Sequence, residues 1–378
     1  MPDDDSKKSP DKSPPSLRRP SARMPAAPAS PTSVRKPSAA SLRIATIDFE
    51  LANAARRIIE GSLGLVAGER IVLIVDRSRH ELGMTLLEVA KATGAKTVML
   101  ELEDLGQRPL RRVPDPIIKE LETAQASILL CGFEDGEQSM RIELVIDLVR
   151  RLGLRHGHMI GVTRKSMLTG FSVDQSRVLD ATRAVRTRIR PDSVFKLRTA
   201  AGSDLEVKLS PAHRWMEHIG VIRPGRWENL PSGEIETAPG ETRGVFVSDA
   251  SMGGHFGQAA GLLADKPVRL EIEGGHCKAV RCRDLALQRE VERFIRSEHN
   301  ADRVGSVGFG TNVGITAPIG DVSCDQNMPG LHIGLGSTFS DQTGAIWDSR
   351  AQITFTCAQG DVDLDGAPLL RHGRYIIT

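Results

Sequence analysis

The chain has 378 residues, 40% of them hydrophobic and 26% charged, which is enough for two domains with apolar cores. A formal net charge of +2 argues against a dedicated nucleic-acid-binding protein, which needs a strongly basic face. Five scattered cysteines (Cys131, Cys277, Cys282, Cys324 and Cys357) do not make a disulfide framework and point to a reducing cytoplasm, and neither a run of 18 apolar residues nor a secretory apolar segment is present.

Residues 1–42 are rich in Pro, Ser, Ala, Lys and Arg and contain no aromatic side chain. Such a segment cannot bury enough apolar surface to offset chain entropy, so a disordered tail is expected there. Helical spacing begins at Ile47–Glu60, with Leu51, Ala54 and Ile58 or Ile59 on one face. Strands and helices then alternate. Arg70–Asp76, Lys96–Leu102, Ser127–Gly132 and His158–Thr163 read as strands. His80–Thr93, Asp115–Ala124, Met140–Leu152 and Asp174–Arg188 read as helices. This alternation predicts an α/β domain over 43–190 with a parallel sheet covered on both faces. Neither G-x-G-x-x-G nor G-x-x-x-x-G-K occurs here, so no nucleotide fingerprint is read.

The pattern changes near Pro191. FKLRTAAGSDLEVKLS predicts a hairpin around Ala201–Ser203, and short strands with frequent turns follow, interrupted by one helix over Leu285–Glu298. Residues 191–378 are therefore expected to form a β-rich α+β domain. His276, Cys277 and Cys282 fit no zinc spacing, and His156 and His158 read as a surface loop before a strand.

Three stretches carry the functional signal: NLPSGEIETAP (Asn229–Pro239), GSVGFGTN (Gly305–Asn312) and HIGLG (His332–Gly336), followed by a tail with DVDLDG (Asp361–Gly366). In this order and spacing they resemble the M29 metallo-aminopeptidases of the aminopeptidase T or S type. The resemblance covers most of residues 50–378 and is strongest over 225–378. It implies two divalent ions held by five ligands, because paired dications need anionic donors to offset their charge while a bridging water loses its proton. Two family ligand positions keep their residues, Glu234 and His332. The other three fall on Ser306, Gln352 and Thr354, and the tyrosine expected to assist catalysis falls on Phe339. The same replacements count against a mononuclear iron site like that of the related ring-cleaving dioxygenases, which needs the H-x-D pair now at Gln352 and Thr354.

These neutral replacements predict a decayed metal site, with no catalytic residue, no metal and no cofactor. The property expected to persist is a peptide-binding cleft formed by Glu234, His332, Ser306, Gln352, Thr354, Phe339, Asn229 and Asn312. On this reading the chain is a cytoplasmic, homodimeric pseudoenzyme. Its partner is a peptide, in one setting a ribosomal precursor peptide presented to tailoring enzymes, and it binds neither nucleic acid nor membrane. Two alternatives stand beside it. One is a divergent metal-dependent hydrolase using Glu234 and His332 with new ligands such as Asp325, Asp341 or Asp348. The other is a structural subunit of an active paralogue.

Overall fold

The computed structural model describes residues 48–376, so the expected tail over 1–42 lies outside the described residues. The described residues form one compact unit. Its first half contains strands β1 (Arg70–Val75), β2 (Lys96–Glu101), β3 (Ala126–Cys131) and β4 (Arg155–Ile160), all parallel. Every residue of β3 and all but the first of β1 are buried, as a sheet covered on both faces requires. Alternate residues serve opposite faces. Ile71, Leu73, Val75, Ile128 and Leu130 pack under helices Phe49–Arg56 and His80–Ala92. Val72, Ile74, Leu129 and Cys131 pack under the helices around Ile117 and Leu144.

The second half supplies β5 (Val194–Arg198), β6 (Asp204–Leu209), β7 (Met216–His218), β8 (Arg226–Asn229), β9 (Glu234–Thr237) and β10 (Pro239–Ser248). There follow β11 (Val268–Glu273), β12 (His276–Arg281), β13 (Val304–Gly310), β14 (Gly330–Gly336), β15 (Gln352–Thr356), β16 (Asp361–Leu364), β17 (Ala367–Arg371) and β18 (Arg374–Tyr375). The predicted hairpin is β5–β6, and the predicted helix is present as Leu285–Phe294. Two antiparallel sheets result, ordered β12-β11-β10-β6-β5-β16-β17-β18 and β15-β14-β13-β9-β7. They enclose one core containing Phe195, Phe246, Phe309, Ile333 and Phe355.

One strand crosses between the halves. β8 pairs in parallel with β4 and extends the first sheet to the order β2-β1-β3-β4-β8. The backbone thus leaves the five-stranded antiparallel sheet after β7, adds a strand to the parallel sheet, and returns as β9. This corrects the reading of His156 and His158 as a surface loop. Both lie on β4 between β3 and β8, with His156 fully buried.

Candidate functional site

The five-stranded antiparallel sheet explains why the sequence motifs look as they do. Along β13, Val307 and Phe309 enter the core, whereas Ser306, Gly308 and Gly310 take the opposite face. Along β14, Leu331, Ile333 and Leu335 enter the core, which leaves His332 with Gly334 and Gly336 on that opposite face. Register carries the same face across the sheet. Glu234 lies opposite Gly310, Glu236 opposite Gly308, His332 opposite Gly308, and Thr354 opposite Gly334. The alternating Gly, Ser and His residues therefore form a shallow polar floor backed by an apolar core.

The glycines leave room for larger neighbours. A Cβ at Gly308 would lie 2.2 Å from Nε2 of His332, so the ring rests directly on the backbone of β13. Gly233 precedes Glu234 at φ 126°, a region that favours glycine, and a Cβ there would meet Asn312 and Val178 at 2.8 Å.

On this floor three side chains cluster, with His332 beside them. Nε2 of His332 lies 3.3 Å from Oε2 of Glu234. His218, on β7 opposite Glu234, lies 3.7 Å from Oε1 of Glu236 through its Nε2. Donor atoms of His218, Glu234 and Glu236 all lie within 4.8 Å of one another. Burial pushes the carboxyls of Glu234 and Glu236 up, and the charge of Glu236 further opposes the ionisation of Glu234. A third carboxyl, Glu228, is pushed up to about 7 by burial, although it accepts from the Gly220 N–H and the Ser232 hydroxyl. Burial lowers both imidazoles, His332 to about 4, and so keeps them neutral. No lysine or arginine among the described residues forms an ion pair with Glu228, Glu234 or Glu236.

Sequence reasoning missed His218 and Glu236. The signal for Glu236 was present in GEIET, where a period of two puts residues 234 and 236 on one face. Ser306, at the position of a family glutamate, lies beside Glu236 of the adjacent strand β9 and draws its carboxyl down against the upward push of burial. No comparable motif marked His218, since only the pairing of β7 with β9 brings it there.

Beside this cluster opens a cleft of about 350 Å³ between the two halves. Asn229, Gln352 and Thr354 line it. Glu234, Ser306 and His332 are buried next to it. Gln326, itself a lining residue, donates from Nε2 to Oε1 of Glu234 at 2.9 Å and stands between that carboxyl and the cleft. Asn312 and Phe339 are not lining residues. Asn312 donates to the carbonyls of Gly170 and Ser232 and ties loops together, while Phe339 sits in a left-handed turn after β14. Two of the acids named as substitute ligands hold loops instead. Asp325 accepts from the N–H groups of Ile319 and Gly320, and Asp348 accepts from those of Thr338, Ser340 and Ser349. His276 pairs with Asp302 at 2.8 Å.

A parallel sheet joined to two antiparallel sheets over a polar cleft defines an M29-aminopeptidase-like α/β fold, and the solved structures agree. Wild-type AmpT from Thermus thermophilus matches with a TM-score of 0.62 at 16% identity, over 87% of this chain and 99% of that one. The 2,5-dihydroxypyridine dioxygenase from Pseudomonas putida KT2440 matches with a TM-score of 0.61 at 15% identity, over 87% of this chain and 97% of that one. No family model and no curated protein sequence matches the chain.

Proposed function

We propose that the chain is a divergent metal-dependent hydrolase of M29-like fold that takes a peptide or peptide-like amide in the cleft. In this reading a single divalent ion replaces the inherited pair. The carrying observation is the clustering of His218, Glu234 and Glu236, with His332 beside Glu234 and no basic side chain to offset the carboxyls. The inherited pair does not fit these residues, because Ser306, Gln352 and Thr354 cannot balance four positive charges. One divalent ion does fit. Two carboxylates offset its charge and the neutral imidazole of His218 adds a nitrogen donor, a mixed set of the kind zinc, manganese, cobalt and iron accept, with His332 next to Glu234 as the nearest further donor.

When bound, such an ion polarises a substrate carbonyl and acidifies a water. The chain's own residues provide the setting. Ser306 orients Glu236, and the Gly308 backbone fixes the plane of His332. Gln326 has to turn away from Glu234 before a ligand in the cleft can reach the cluster. Asn229, Gln352 and Thr354 offer amide and hydroxyl partners to an extended backbone.

Elemental analysis and calorimetric metal titration test this reading. One ion per chain is expected, with Glu236→Gln and His218→Gln each weakening it by about 100-fold or more, beyond the 10–100-fold typical of residues that only support a ligand. Alanine or leucine p-nitroanilide, or a dipeptide, should be cleaved only when the ion is loaded. Absence of binding for zinc, manganese, cobalt and iron at millimolar concentration would sink the reading and return the chain to metal-free peptide recognition. Two ions per chain would mean that the inherited pair persists. Iron with oxygen uptake would move the chemistry to the dioxygenase side of the fold.

A further inference from the structure

The cleft carries one fixed cation. Arg141 lies at its edge with the guanidinium 5.2 Å from the centroid of the Phe133 ring, and both residues line the cavity. No carboxylate lies within 4 Å of that guanidinium among the described residues, and no carboxylate lines the cleft. The nearby acid Glu137 is committed elsewhere. Its two oxygens accept from Nε and Nη2 of Arg108, and one also accepts from the N–H of Leu110. The other ionisable lining residue, His158, is held neutral, because burial lowers it to about 3 and Arg141 adds to that shift.

A half-buried arginine with free donors is a poor structural element, since it gives up hydration without gaining a partner. Its stacking on Phe133 fixes the guanidinium without using its N–H groups. Those groups are a planar fork that matches a carboxylate. At the other end of the polar strip lie Glu234 and Glu236, reached past Gln326. The cleft is therefore bounded by a cation on the parallel-sheet side and by acceptor carboxyls on the antiparallel-sheet side, with neutral amides and hydroxyls between.

We propose that Arg141 binds the carboxylate of the ligand, so that the preferred substrates are short peptides carrying a free carboxylate. Their amino end then points toward the Glu234–Glu236 cluster. This inference rests on the cleft being the binding place given above, but it does not depend on the metal. Arg141 acts as a specificity-determining residue, binding and orienting rather than reacting.

The test is calorimetry on the full chain, with and without added zinc, using three probes. These are alanyl-alanine, alanyl-alanine amide, and alanyl-aspartate α-amide, whose only carboxylate is on the side chain. Alanyl-alanine should bind about 10-fold or more tightly than its amide, a difference of about 1.4 kcal/mol. Arg141→Gln should abolish that preference, Arg141→Lys should keep part of it, and both variants should keep the wild-type metal content and melting temperature. If the α-amide of alanyl-aspartate binds like alanyl-alanine, the site reads a carboxylate from either source. If it binds like the neutral amide, the site reads the chain terminus. Equal affinity for acid and amide in the wild type, a preference that survives Arg141→Gln, or failure of all three to bind would overturn the proposal. Loss of metal binding with the preference intact would sink only the hydrolase reading.

Discussion

Gly308→Ala probes the floor beneath His332. The new Cβ would lie 2.2 Å from Nε2 and 2.6 Å from Cε1 of the ring, against an ordinary contact of 3.4 Å or more. The ring must therefore retreat by about 1.2 Å, because the carbonyl of Ile235 at 3.0 Å blocks relief by a backbone shift on the other side. Metal–ligand distances tolerate roughly 0.2 Å, so His332 can no longer share an ion with Glu234. Overpacking should cost about 1–3 kcal/mol of stability, and metal affinity should fall by well over about 10-fold. Val307→Ala is the control, because Val307 is fully buried on the core face of the same strand. It should cost about 1.5–3 kcal/mol through the cavity and lost burial, yet leave metal affinity within about two-fold because no ligand moves. Urea unfolding gives the stabilities and a chelator competition gives the affinities. If Gly308→Ala binds metal as the wild type does, or Val307→Ala weakens metal as much, then His332 is not a ligand held by this floor.

Arg108 joins three acids at the end of the parallel sheet, pairing with Asp76 at 2.9 Å, Glu137 at 2.6 Å and Glu103 at 3.5 Å. Arg108→Met should cost about 3–5 kcal/mol in chemical unfolding, because Asp76 and Glu137 are left charged and buried. Asp76 and Glu137 keep lowered pKa values when hydrogen bonds from Ser78, Gly132 and Arg108 outweigh burial, so their contribution is complete above the unfolded carboxylate range and is lost as pH falls through their folded values. His156 and His158 act in the same direction. Burial keeps both neutral, with His158 lowered to about 3, so the unfolded chain takes up protons below pH 6.5 that the folded chain refuses. Stability should fall by up to about 1.4 kcal/mol per pH unit per histidine between pH 6.5 and 3, and a urea midpoint flat over that range would contradict their burial. Asp348→Ala removes the acceptor for three backbone N–H groups and should cost about 1–3 kcal/mol, with faster hydrogen exchange at Thr338 and Ser340 as the local readout.

Much of the fold was legible because period and burial agree. The runs RIVLIV and ASILLC fill a doubly covered sheet, and the Ala201–Ser203 turn closes β5 on β6. Glu234 and His332 were legible because their motifs alternate apolar with Gly or polar residues, and that alternation survives as the two faces of one sheet. The rest depended on pairing between distant segments. His218 sits in a three-residue edge strand and gains its role only by lying opposite Glu234. Glu236 lay inside a recognised motif, but comparison by position drew attention to Ser306 and away from the acid beside it. His156 and His158 looked solvent-facing because the strand that covers their edge, β8, comes about 70 residues later.

The passage from β7 through β8 to β9 has a mechanical consequence. His218 ends one segment of the antiparallel sheet and Glu234 begins the next, and the link between them is hydrogen-bonded into the other sheet as β8. Any motion that widens the cleft must pull on this link and is transmitted to both residues at once. The width of the opening and the spacing of His218 and Glu234 are thus tied to one stretch of backbone. The same link makes cutting the chain near residue 190 a poor way to separate the halves. The severed first half would bare the outer edge of β4, an unpaired edge that invites association with other chains.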